Sequence, residues 1–199
     1  MTRKKSALIP ALMMLFSAML IMILPTEAEG AIYEDTIRLH ILANSNSDED
    51  QHTKLELRDA ILNKFGTALS HNDNKELALL ELSNKLTEIE SFANTLLSDW
   101  GCDYSARVEL GKEWYDTREY EDLSLPKGYY TSLRIILGNG DGKNWWCVMF
   151  PPLCLNAACE DAPSDDGIKQ YSDEEFRLIS SNGYNVKFKI LEIISDVFS

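Results

Sequence analysis

Asn144-Trp145-Trp146-Cys147-Val148-Met149-Phe150-Pro151-Pro152-Leu153-Cys154 is the stretch on which the fold of this chain turns. Three large aromatics, two prolines and two cysteines fall within eleven residues. Side chains alternate across a strand, so Trp145, Cys147 and Met149 should line one face, and Trp146, Val148 and Phe150 the other. A strand apolar on both faces belongs in a central part of a sheet that is covered on both sides. Pro151-Pro152 ends it, because neither residue can donate to a ladder. Cys147 and Cys154 flank that stop and are spaced to close a small loop.

Upstream, Gly138-Asn139-Gly140-Asp141-Gly142 has the chemistry of a hairpin turn, with a further strand over 129–137 before it. Shorter β signals cover 104–110 and 114–120. Before these, Leu79, Leu82, Leu86, Ile89, Ala93, Leu96 and Trp100 recur at three-four spacing, from a start near Asn72 or Asp73 to a stop at Gly101. That stripe suits one helix of a packed hairpin, widened by Phe92 and Leu97, or a coiled-coil seam that dimerises the protein. The hairpin is preferred because the repeat is short. Its first helix is capped by Ser47, with Asp48, Glu49 and Asp50 as solvated partners of the helix dipole. Leu57, Ile61 and Phe65 continue it to Gly66, and residues 37–42 before it read as a strand. The predicted fold class is α+β, a helical hairpin packed on a mainly antiparallel β-sheet.

Arg3-Lys4-Lys5, an apolar run over 7–24 and small residues at Ala28 and Gly30 follow the order of a secretory signal. The run also approaches the length of a membrane anchor, so residues 1–30 are a signal peptide or an anchor helix. In either case the rest lies outside, with the leader as its one contact with a membrane. Residues 31–156 form a compact α+β domain, 157–183 an acidic flexible loop and 184–199 a last apolar element. Removing residues 1–30 takes away three basic and two acidic side chains, so the net charge moves from −13 to −14. Such a surface repels nucleic acid and anionic lipid.

All four cysteines, Cys102, Cys147, Cys154 and Cys159, lie on the exported side, where an even count points to disulfides with three possible connectivities. The Pro-Pro bend favours Cys147 with Cys154, leaving Cys102 for Cys159. Closing the shorter loop contributes about 2–3 kcal/mol by chain entropy. Zinc is the rival, but His40, His52 and His71 are scattered and upstream, so no metal or other cofactor is expected. The glycines at 138, 140 and 142 fit neither a Walker motif, with Asn144 at the magnesium-binding hydroxyl position, nor a dinucleotide fingerprint. Asn44-x-Asn46-x-Asp48 lacks the glycine and final glutamate of a calcium loop. Asp116-Thr117 is followed by Arg118 rather than glycine, and no nucleophile elbow or zinc-protease helix is present. No catalytic residue is assigned.

Ile37-Arg38-Leu39-His40-Ile41-Leu42-Ala43-Asn44-Ser45 with its acidic run, Arg58-Asp59, Leu125-Pro126-x-Gly128-x-Tyr130 and the Gly138 to Cys154 block together resemble the stage II sporulation protein R family. The likeness spans roughly 35–156 and is weaker at Val186-Lys187-Phe188; Trp114-Tyr115-Asp116 departs from a Phe-Pro-Thr-like segment. The resemblance implies a protein made in the forespore of an endospore-former and secreted across its membrane into the intermembrane space. There it triggers a membrane-embedded aspartic-type protease of the mother cell, which processes the precursor of sigma-E. It implies no enzymatic activity for the signal itself. Trp145 and Trp146 are the candidate partner-binding residues. An exported cell-envelope hydrolase and a dimeric envelope scaffold are the alternatives, and the oligomeric state stays open.

Overall fold

The computed structural model describes residues 9–17, 27–66, 75–119, 124–151 and 171–180. A short helix α1 (9–17) is followed by α2 (Glu27–Asp35), β1 (Ile37–Leu42) and α3 (Asp48–Ile61), which runs on as a π-helical turn, Leu62–Gly66. Then come α4 (Lys75–Asp99), β2 (Ala106–Tyr115), β3 (Arg118–Glu119), β4 (Ser124–Leu125), β5 (Gly128–Leu137), β6 (Asn144–Phe150) and α5 (Asp173–Ile179). Four strands form one sheet in the order β2-β5-β1-β6, while β3 and β4 pair by themselves. β1 runs parallel to β5; the β1–β6 and β2–β5 pairs are antiparallel. The molecule is α+β on a mainly antiparallel sheet, as the patterning predicts.

Alternation along β1 divides the protein in two. Ile37, Leu39 and Ile41 face α3 and α4 and join Leu57, Ile61, Leu82, Ile89, Ala93 and Leu97 in the main core. Apart from exposed Trp100, the three-four stripe of α4 packs within its own fold, which favours the hairpin reading over the coiled-coil seam. Ser47 caps α3 as expected, its hydroxyl accepting from the Asp50 amide at 3.2 Å. Polar side chains of α4 also cover part of the edge strand β2. Asn94 bonds both backbone groups of Ala106, at 2.8 and 3.0 Å, and Glu90 accepts from the Val108 amide at 2.9 Å. Covering an edge in this way blunts strand-to-strand aggregation.

Several expectations are corrected. Gly138 to Gly142 is not a hairpin turn, because β1 lies between β5 and β6. The loop instead crosses the end of β1. β6, expected to be central, lies at the edge among the described strands, and β1 and β5 hold the centre. Trp145, Cys147 and Met149 do face the helices, with Trp146 and Val148 opposite. Phe150 changes sides, because the register with β1 shifts between Ile37 and Arg38 and leaves Met149 as the extra residue of a bulge. Part of the expected 157–183 loop is α5, where Ser172 and Glu175 form a reciprocal capping box and Tyr171 and Ile179 are buried. α2 packs on α5 and β5, and it spans the expected leader boundary at residue 30. No helix among the described residues is long and apolar enough to cross a membrane. Most of the leader, and the apolar element expected at 184–199, lie outside the described residues.

Candidate functional site

The segments that mark the chain in sequence meet in space. At the end of β1, the Asn44 side chain donates to Asp50 Oδ2 at 3.0 Å and accepts from the Asn139 amide at 3.1 Å. Asn46 Oδ1 accepts from the Lys143 amide at 2.8 Å, and the Gly142 amide donates to the Ala43 carbonyl at 2.9 Å. The 138–142 loop is thus stitched to the 43–46 loop. Glycine is needed for that fit: a Cβ at Gly138 would collide with the Asn44 amide oxygen, and one at Gly142 with the Ser45 carbonyl. Lys54 closes the junction from α3, donating to the Lys143 carbonyl at 3.0 Å.

Asp50 is the anchor of this junction, only 7% exposed rather than solvated as its place in a first helical turn suggests. Besides Asn44, its carboxylate accepts from the Tyr104 hydroxyl at 2.7 Å. Burial pushes its pKa up, but hydrogen bonds from Ser45, Tyr104, Asn44 and Ser47 outweigh that and hold it below the usual aspartate value. Asp48 is exposed and matches the dipole role.

The sheet face away from the helices carries a second buried network. The strand period puts Arg38 and His40 there. Arg38 is fully buried, its guanidinium 4.2 Å from the Tyr115 ring centroid and 5.1 Å from that of Tyr130. His40 Nδ1 lies 2.9 Å from Glu113 Oε1, and its ring stacks on Trp146 at 5.4 Å between centroids. Glu113 also accepts from the Tyr115 hydroxyl at 3.0 Å, and Arg134 Nε stands 3.3 Å away. Burial raises the Glu113 pKa, yet His40 and the Ser132 and Tyr115 hydroxyls bring it below the usual glutamate value. Burial and then the Glu113 charge push the Tyr115 phenol up, against the Ser132 hydrogen bond. Ser132 Oγ lies 2.6 Å from the Tyr115 hydroxyl, so the hydroxyl near the His-Glu pair is bonded to Tyr115 rather than to an imidazole base. Among the described residues, no three His, Cys, Asp or Glu side chains gather as metal ligands.

The expected partner-binding indoles are both half-buried. Trp145 packs on the main core with the Arg58 guanidinium 5.0 Å from its ring centroid, and Trp146 lies between His40 and Arg118, whose guanidinium is 3.9 Å from the ring. Each is held by a cation and by packing. Cys147 is disulfide-bonded, while Cys102 is a free thiol, against the pairing of Cys102 with Cys159. Cys102 precedes β2 at the Leu137 end of the sheet, whereas β6 ends at the Ile37 end. Cys154 and Cys159 lie outside the described residues.

Sequence reasoning missed an exposed aromatic pair. Trp114 on β2 and Tyr129 on β5 are register partners, 5.1 Å apart edge-to-face, and remain 51% and 62% exposed. Leu77 and Leu80 on α4 are exposed as well. Alternation gave no signal for the pair, because Trp114 shares the face of Ala106, Val108 and Leu110, which pack on the main core.

Fold and surface together define a small α+β domain with interlocked loops, a buried polar seam and an exposed aromatic pair. The model of the stage II sporulation protein R family matches residues 33–160. A relative from Bacillus subtilis (strain 168), named stage II sporulation protein R, is 34% identical over 187 aligned residues that cover 84% of each chain. No solved structure matches. This is therefore a sporulation protein, and it belongs to the stage II sporulation protein R family.

Proposed function

We propose that the protein is an exported signal, secreted across the forespore membrane, that activates a membrane-embedded aspartic-type protease of the mother cell by binding, so that the precursor of sigma-E is processed. The observation that carries a binding role is the exposed Trp114–Tyr129 pair, with exposed Leu80 in the groove along the same strand, on a chain of net charge −13. Apolar surface left open on an otherwise charged domain marks interaction sites. Family membership and the basic-apolar-small leader support the developmental setting and the export. Binding activates only if the domain favours the competent state of the protease over its idle one. A disulfide between Cys147 and Cys154 suits the oxidising side of that membrane.

The test is co-expression of the leader-bearing protein with the protease and the sigma-factor precursor, reading precursor cleavage. Cleavage is expected with the wild type, and its loss when Trp114 and Tyr129 are both changed to Ala in a domain that still folds. Absence of cleavage with the wild type sinks the proposal.

A further inference from the structure

We infer that the free half of the β2 edge, from Leu110 to Trp114, accepts an extended segment of the partner as an added strand, with an apolar side chain entering the groove beside α4 and an acidic one meeting Lys112. The inference deepens the binding role proposed above and rests on it. In an antiparallel pair, alternate residues direct their backbone groups away from the partner strand. The bonds of Ala106 and Val108 to Asn94 and Glu90 show which set that is on β2, so Leu110, Lys112 and Trp114 point outward too. Among the described residues, the cover supplied by α4 ends at Val108. Beyond it a groove of about 570 Å³ opens between Glu76, Leu79, Leu80 and Ser83 of α4 and the Leu110–Lys112 edge. The exposed Trp114–Tyr129 pair continues this surface along the same strand. Edge amides with an apolar slot alongside are the two elements of strand addition, the first supplying affinity and the second specificity.

Gly111 and the local charge point the same way. A Cβ at Gly111 would meet nothing within 4 Å, so the fold itself does not require a glycine there. A strand-interior glycine of this kind suits the close approach of another backbone. The charge beside the groove sets the chemistry of the occupant. Lys75 is pushed down to about 8, by burial and then by the charge of Lys112, with Asp35 and Glu34 only partly offsetting this. Two ammonium groups that repel each other on an otherwise acidic protein favour an incoming carboxylate, even with Glu76 on the groove wall.

The experiment measures binding of the purified exported domain to the protease in nanodiscs, together with amide hydrogen exchange of Leu110, Lys112 and Trp114. Wild type should bind and protect those amides. Lys112→Pro, which deletes an outward N–H on an edge strand, should weaken binding at least tenfold, and Lys112→Ala, which deletes only the charge, severalfold. Should Lys112→Pro unfold, the exchange pattern of the wild-type complex decides instead. Equal binding by wild type and Lys112→Pro, or unprotected amides in the complex, overturns strand addition and leaves the binding role standing. No binding by the wild type overturns both. Amides already protected in the free domain mean that the chain's own 67–74 segment or a second copy occupies the edge, which also overturns the inference.

Discussion

Asp50→Asn should destabilise the domain by about 3 kcal/mol. The carboxylate accepts from the Tyr104 hydroxyl at 2.7 Å and from Asn44 Nδ2 at 3.0 Å while only 7% exposed. A hydrogen bond to a charged group contributes roughly 1.5–3 kcal/mol. The two share one residue and cannot be summed in full, which sets the figure at the bottom of their combined range of roughly 3–6 kcal/mol. An asparagine keeps the shape but turns one acceptor into a donor facing Tyr104 or Asn44. For a chain of this size each kcal/mol moves the melting temperature by about 2–4 °C, so a fall of roughly 6–12 °C is expected. Thermal melts by circular dichroism at neutral pH give the number. The pH dependence provides a second check. The folded pKa of Asp50 lies below its ordinary value of 3.8, so the stabilisation is complete above that value and is lost as pH falls through the folded pKa. The gap between wild type and variant should therefore narrow below about pH 4. A variant melting within a degree of wild type, while Asp48→Asn does the same, would refute the anchoring role.

Lys75 has a folded pKa of about 8 against an ordinary 10.5, so the unfolded chain binds more protons between those values and stability should rise with pH across that window. Lys75→Met should lack that rise in paired denaturant titrations, and parallel curves would contradict the assignment. Non-reducing peptide mapping of the exported protein should recover a Cys147–Cys154 link and a Cys102 that alkylates without reduction; a Cys102 crosslink would contradict it.

The elements were legible because their causes are local. Ser47 with the following acids announces a helix start, the Leu82–Ile89–Ala93 stripe a packed helix, and the alternation in β6 the side taken by each indole. Strand order was not legible. The glycines at 138–142 look like a hairpin in any local window, and only the bonds from Asn44 and Asn46, almost a hundred residues away, reveal a crossover. Asp50 was misjudged for the same reason, since its partner Tyr104 lies 54 positions downstream. The seam of Arg38, His40 and Glu113 was hidden because charged residues within a strand look solvent-facing until β5 and β6 enclose them. Trp114 shares the phase of Ala106, Val108 and Leu110, which pack on the main core, yet is exposed at the far end of β2, so alternation alone could not show it.

The central claim is that the protein acts from outside the cell that makes it, by contact. The most direct measurement compares the leader-bearing chain with one beginning after residue 30, each made in cells where the sigma-factor precursor and its protease sit across the membrane, with precursor cleavage as readout. The account predicts cleavage with the leader-bearing chain and none with the leaderless one, although the latter folds. Cleavage triggered by the leaderless chain from within its own cell would contradict it.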